Sequence, residues 1–368
     1  MATWFSASAV IPQLRDEWVL SRSAAAWLTI AVQLGFVAGA LASSVSNAAD
    51  VISPHVVVFW GSLGAAAANA ALVVTDGPET AIPLRFATGF FLAGVYPPAL
   101  KLMATWFRRG RGTALGIVVG ALTLGSALPH LVNGLGGLDW HVVIVVTSAL
   151  TVAGGVIALT AVPEGPYPFP QATFDPHQAR LVFANRGVRL TSLGYFGHMW
   201  ELYAMWAWFL LFATDSLFAS QTVAAVVTFA VIAAGALGCV AGGVLGDRLG
   251  RPETTAGFLA CSGLCALAIG FLPTWAAVLV ALIWGFAVVG DSAQFSTLVT
   301  EHADQAYVGT ALALQLAVGF TLTVVTIWLI PVVEHAAGWR WTFWLLVPGP
   351  ALGIVAMLRL RRTASVIA

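Results

Sequence analysis

The stretch G-G-V-L-G-D-R-L-G-R-P, Gly242 to Pro252, places Asp247, Arg248 and Arg251 between two long apolar runs. Charge this dense between apolar segments reads as a turn at a membrane surface. An aspartate at a helix end followed by Gly250, which can take φ > 0, allows a tight turn that brings two helices together while the arginines stay in water.

The composition on either side fits that reading. Of 368 residues, 59% are hydrophobic and 9% are charged, and mean hydropathy is +0.90. Soluble domains carry about 25% charged residues, so this chain is a polytopic membrane protein. About 20 apolar residues cross roughly 30 Å of hydrocarbon as helix. Runs of that kind cover residues 24–45, 56–75, 81–106, 113–135, 141–162, 188–212, 217–246, 254–272, 274–301, 307–331 and 339–360. Each is continuously apolar rather than alternating, which predicts helices and not a barrel. A shorter segment, Met1 to Pro12, reaches only about 18 Å at ~1.5 Å per residue, so the first of twelve helices is expected to be truncated. Cys239, Cys261 and Cys265 lie in apolar runs without metal-ligand spacing and are read as core residues. No metal and no cofactor are expected.

The charges are sorted. If the helices alternate, Lys101, Arg108, Arg109, Arg111, Arg180, Arg186, Arg189, Arg248, Arg251, Arg359, Arg361 and Arg362 share one side, against Arg15, Arg22 and Arg340 on the other. Twelve against three assigns the basic side, with the C-terminus, to the cytoplasm.

The chain also repeats itself. G-T-A-L-G at 112–116 and G-T-A-L-A at 309–313 are offset by 309 − 112 = 197, and Asp50 and Asp247 by 247 − 50 = 197. Two six-helix parallel halves follow, residues 1–162 and 188–368, joined by a Pro-rich loop over 163–187. Gly94 to Pro98, G-V-Y-P-P, is expected to kink the fourth helix, and 291 − 197 = 94 puts Asp291 of G-D-S-A-Q at the same level of the tenth.

Gly243, Leu245, Asp247, Arg248, Gly250 and Arg251 match the loop motif G-x-L-x-D-R-x-G-R-K/R, with Pro252 where a basic residue is usual. On this motif the chain resembles the major facilitator superfamily of transporters. R-F-A-T-G, Arg85 to Gly89, is similar to that family's R-x-x-Q-G, with Thr88 in place of glutamine. The first-half turn keeps Asp50 but has Val51 and Ser53 where the loop motif has arginine and glycine. The resemblance implies an all-α twelve-helix fold, with helices one, four, seven and ten lining a central cavity, and gating by Asp247, Arg248, Gly250 and Arg251.

On the seventh helix His198 and Glu201 are three apart and share a face near the midplane. A charged carboxylate there costs about 2.5–3.5 kcal/mol on insertion scales, so it needs a cavity or a partner. Glu201, His198 and Asp291 are therefore the proton-coupling candidates. The alternative is a structural role, with Glu201 neutral and hydrogen-bonded to His198. Arg85, Tyr96, Tyr195, Gln294 and Gln315 are the candidates for the solute cavity, with Arg85 alternatively snorkelling to the interface. Trp200, Trp206 and Trp208 line a site or form an interfacial belt.

The expected function is proton-coupled movement of a small polar or anionic solute by alternating access, in a bacterial inner membrane. Within the family the chain looks most like cyanate and nitrate permease-type carriers. Those that carry nitrate have an arginine in each of helices two and eight, and runs 24–45 and 217–246 contain none. The alternatives are a proton-linked exporter of drugs or metabolites, against which the absence of G-x-x-x-G-P on helix five counts, and a non-functional truncated carrier. No H-E-x-x-H or G-x-S-x-G points to an enzyme. The expected partners are a solute, protons and the lipid bilayer, without nucleic acid, the chain acting as a monomer.

Overall fold

A computed structural model of the chain describes residues 1–46, 52–107, 110–135, 139–167, 179–304 and 308–364. Asp50, Arg108 and Arg109 lie outside the described residues, as do residues 168–178 of the loop assigned between the halves.

Helices account for every described regular element. Short helices α1 (Ser6–Ala9) and α2 (Ile11–Glu17) come first, then α3 (Arg22–Ser46) and α4 (Pro54–Ala70). The fourth crossing is split into α5 (Pro78–Leu92) and α6 (Tyr96–Ala104), and α7 (Arg111–Gly134) and α8 (Trp140–Ala161) follow. After a short α9 (Ala179–Ala184) come α10 (Arg186–Phe212), α11 (Gln221–Leu249) and α12 (Arg251–Ala268). The tenth crossing is again split, into α13 (Thr274–Gly290) and α14 (Ser292–His302). The chain ends with α15 (Val308–Ala337), α16 (Trp339–Thr342) and α17 (Pro348–Ala364).

Among the described residues nine helical stretches are long and apolar enough to cross a membrane. The crossings outside that set are the short first segment, the split α5–α6 pair, and α10, which carries Arg186, Arg189 and Glu201. The first and fourth crossings are thus set apart by shortness or interruption, and the seventh by its polar residues.

The fourth crossing breaks because Pro97 and Pro98 have no N–H to give the carbonyls of Ala93 and Gly94. The chain turns there through shorter bonds, Gly94 N to Phe91 O and Val95 N to Leu92 O, both 2.9 Å. The tenth breaks at Asp291, one repeat length from Gly94.

Small residues set the helix spacing. A Cβ at Gly238 or Gly242 of α11 would stand 1.8 Å from the carbonyl oxygen of Phe286 or Gly290 on α13. Likewise a Cβ at Gly89 of α5 would stand 2.0 Å from Val32 O on α3. Backbones touch at these crossings, as close membrane packing requires.

Candidate functional site

Three polar clusters lie along the molecule: one at the end carrying the basic loops, one midway, and one at the opposite end.

At the basic end Gly250 takes φ 102° and is the single residue between α11 and α12. That geometry holds Asp247 against the start of α7, where it accepts hydrogen bonds from Thr113 N (3.2 Å) and Thr113 Oγ1 (3.1 Å). Gly112 lets this carboxylate come close, since a Cβ there would lie 2.6 Å from Asp247 Oδ1. Arg251 pairs with Asp247 (3.0 Å) and with Glu301 (2.9 Å), and donates to Gln294 Oε1 (2.8 Å). Gln294 in turn donates to Gly242 O at 3.0 Å. Gln294, expected in the solute cavity, is thereby tied to the loop motif, and Arg248 is exposed.

Midway along α10, His198 and Glu201 do not pair with each other. His198 Nδ1 lies 2.9 Å from Asp291 Oδ1 at the break between α13 and α14, with both side chains 1% exposed. The contact is an ion-pair approach without hydrogen-bond geometry, and His198 Nε2 has no partner. Glu201 Oε1 accepts from Trp284 Nε1 of α13 at 2.7 Å, with Ser262 of α12 close by and Asp291 within electrostatic reach. Two acids and a histidine are thus buried between α10 and the α13–α14 crossing.

Arg85 is 0% exposed, so it does not snorkel. Its guanidinium donates to Leu28 O (3.1 Å), Thr3 O (2.8 Å), Ser6 Oγ (3.2 Å), Asn69 Oδ1 (3.0 Å) and Trp4 O. Each of these acceptors belongs to the protein, and they lock the first segment to α3, α4 and α5.

Trp4, Phe36, Tyr203 and Phe320 form a closed ring cluster with centroid separations of 4.5 to 5.7 Å. Tyr195 lies beside it, its ring filling the space left by Gly319, and Tyr96 is within electrostatic reach of Tyr195 and Tyr203. Gln315 Nε2, both amide atoms of Gln33, and the indole nitrogens of Trp4 and Trp206 are buried there or nearby in the core without hydrogen-bond partners. Trp200 and Trp208 instead donate to Leu345 O and Ile327 O, which makes them helix ties.

At the opposite end Arg22, opening α3, pairs with Glu334 near the end of α15. Sequence reading passed over this pair because 312 residues separate its members; their common placement at a basic-poor end was the available signal. It borders a cavity of about 90 Å³. Among the described residues no group of three His, Cys, Asp or Glu is placed to hold a metal ion.

The Major Facilitator Superfamily matches residues 1–326. No curated protein matches the sequence. Among solved structures, a D-xylose–proton symporter superposes with a TM-score of 0.72 at 18% identity, over 97% of this chain and 93% of that one. At that identity the likeness is one of fold.

Proposed function

The chain belongs to the major facilitator superfamily of transporters, and from that premise we propose that it moves a small polar or anionic solute across a bacterial inner membrane by proton-coupled alternating access. One observation carries the reading. The same two sets of helices are held together at both ends, by Asp247 with Thr113 and by Arg22 with Glu334, around a buried cluster of titratable groups. Closures that must alternate, with a proton-holding centre between them, are what coupling requires.

In this proposal residues 1–162 and 188–368 move as two halves about the ring cluster. The basic end is cytoplasmic, as the loop charges favour. Glu201, His198 and Asp291 carry the proton, while Tyr96, Tyr195 and Gln315 face the solute path. Arg85 acts on that path through the first segment it holds. The Asp247–Arg251 turn gates the inner face, with Arg248 and Gly250 shaping it. The chain acts as a monomer, and likeness to cyanate and nitrate permease-type carriers guides the choice of solutes. Reconstitution in vesicles with a pH-reporting dye trapped inside tests the reading. Adding a transported solute outside is expected to move protons with it, in a ratio that stays fixed as the gradient is varied. Solute flux that leaves the internal pH unchanged would rule out proton coupling.

A further inference from the structure

The cavity beside the Arg22–Glu334 closure holds an arginine whose charge the protein does not spend. Arg15, in α2, lines it and makes no ion pair or hydrogen bond among the described residues, whereas its neighbour Arg22 is engaged by Glu334. Across the cavity stands the exposed Asp215, which among the described residues accepts from neutral donors, Trp339 Nε1 at 3.1 Å and Thr214 Oγ1 at 3.5 Å. A carboxylate can take about four hydrogen bonds, so Asp215 retains capacity for a cation. Arg15 and Asp215 border one small cavity yet form no ion pair with each other. An unpaired cation thus faces an underused acid across a space of about 90 Å³, several times what one water needs.

The local backbone supports a built site. Asp215 belongs to a π-helical turn, Ala213–Leu217, at the end of α10, a distortion that recurs where side chains are re-aimed for function. The indole that holds Asp215 is itself fixed, since the Trp339 ring lies 5.7 Å from Phe212 and 5.8 Å from Phe343. Trp208 supplies an apolar wall.

We propose that this cavity is a vestibular site for a small zwitterion of amino-acid size, its carboxylate on Arg15 and its ammonium on Asp215. A bare anion leaves Asp215 facing its negative charge, and a bare cation does the same to Arg15; only a molecule carrying both charges satisfies both walls. Because Arg15 lies on the first-half side and Asp215 on the second, the bound zwitterion bridges the halves next to the Arg22–Glu334 closure. The proposal rests on the transporter reading and narrows its solute class from polar to zwitterionic.

The test titrates the purified full chain in detergent with β-alanine, propionate and propylamine at fixed ionic strength, following tryptophan fluorescence. β-Alanine is expected to bind about tenfold or more tightly than either single-charge analogue. Arg15→Gln and Asp215→Asn are each expected to remove that advantage, and Arg15→Lys to restore most of it. The asparagine keeps an acceptor for Trp339, and unchanged melting of each variant separates lost binding from lost fold. Equal binding of propionate, no response to β-alanine, or full binding by either neutral variant overturns the proposal. The readout needs no bilayer, so a protein that binds β-alanine through both residues but moves no solute in vesicles retains this site and refutes the transporter reading alone.

Discussion

His198 Nδ1 sits 2.9 Å from Asp291 Oδ1, and this contact joins the middle of α10 to the break between α13 and α14. Both side chains are 1% exposed, so neither is solvated by bulk water. Removing one member of such a pair costs about 3–5 kcal/mol, since the other is left buried alone. Asp291→Ala is expected to lower the melting temperature sharply. His198→Gln combined with Asp291→Asn is expected to cost less than the sum of the single changes, because contacting residues do not add. A double-mutant cycle by thermal unfolding in detergent measures this; strictly additive losses would show that the contact carries no coupling.

Glu201 is held by a neutral donor, Trp284, and so is free of a fixed counter-charge at hydrogen-bonding distance. Glu201→Gln is expected to keep fold and solute exchange at equal pH while losing accumulation driven by a pH gradient. Trp284→Phe is expected to cost about 1–3 kcal/mol of stability by leaving the buried carboxyl without its donor. Accumulation by the Gln variant at the parent level makes Glu201 structural and moves the proton-carrying role to Asp291.

Helix spacing makes a prediction of its own. Gly242→Ala puts a Cβ 1.8 Å from Gly290 O, a backbone atom that cannot swing aside, so α11 and α13 must separate. Overpacking of this kind costs about 1–3 kcal/mol or more. Gly257, whose Cβ position meets nothing within 4 Å, is the control and is expected to tolerate alanine. Equal melting temperatures for the two variants would mean that the α11–α13 contact is looser than described.

The start of α8 carries a pH signature. Asp139 caps the helix, accepting from His141 N at 2.8 Å and pairing with the His141 ring. The backbone bond first, then the ring, hold its carboxyl below the usual aspartate value. A depressed carboxyl contributes stability that is present above its unfolded pKa of about 3.9 and is lost as pH falls through the folded value. Asp139→Asn keeps a capping oxygen but loses the charge. The stability difference between parent and variant is expected to be constant near neutrality and to close on acidification below the ordinary aspartate range. A difference that widens in acid contradicts the sign.

Orientation is tested by labelling. Leu249, 66% exposed within the loop motif, is a better cysteine site than Gly110, whose φ of 66° resists a side chain. Leu249→Cys is expected to react with an impermeant thiol reagent only from the cytoplasmic side, and Gly77→Cys only from outside. The reverse pattern inverts the topology assigned from the loop charges.

The amino-acid sequence by itself determined the number and position of the crossings, because hydrophobicity is a property of each residue and sums over any run of about 20. It also located the break in the fourth crossing, since Pro97 and Pro98 lack N–H groups in any surroundings, and the turn at Gly250, where the missing Cβ permits positive φ. What it left open was the partner of each buried polar group. His198 and Glu201 share a helix face by spacing, yet one meets Asp291 and the other Trp284, because the α13–α14 crossing presents both groups to α10. The acceptors of Arg85 are mainly backbone carbonyls, which carry no sequence signature. Arg22 finds Glu334 across 312 residues. Such pairings depend on the rotation and separation of whole helices, fixed by contacts such as Gly242 against Gly290. Only the tertiary structure decided them.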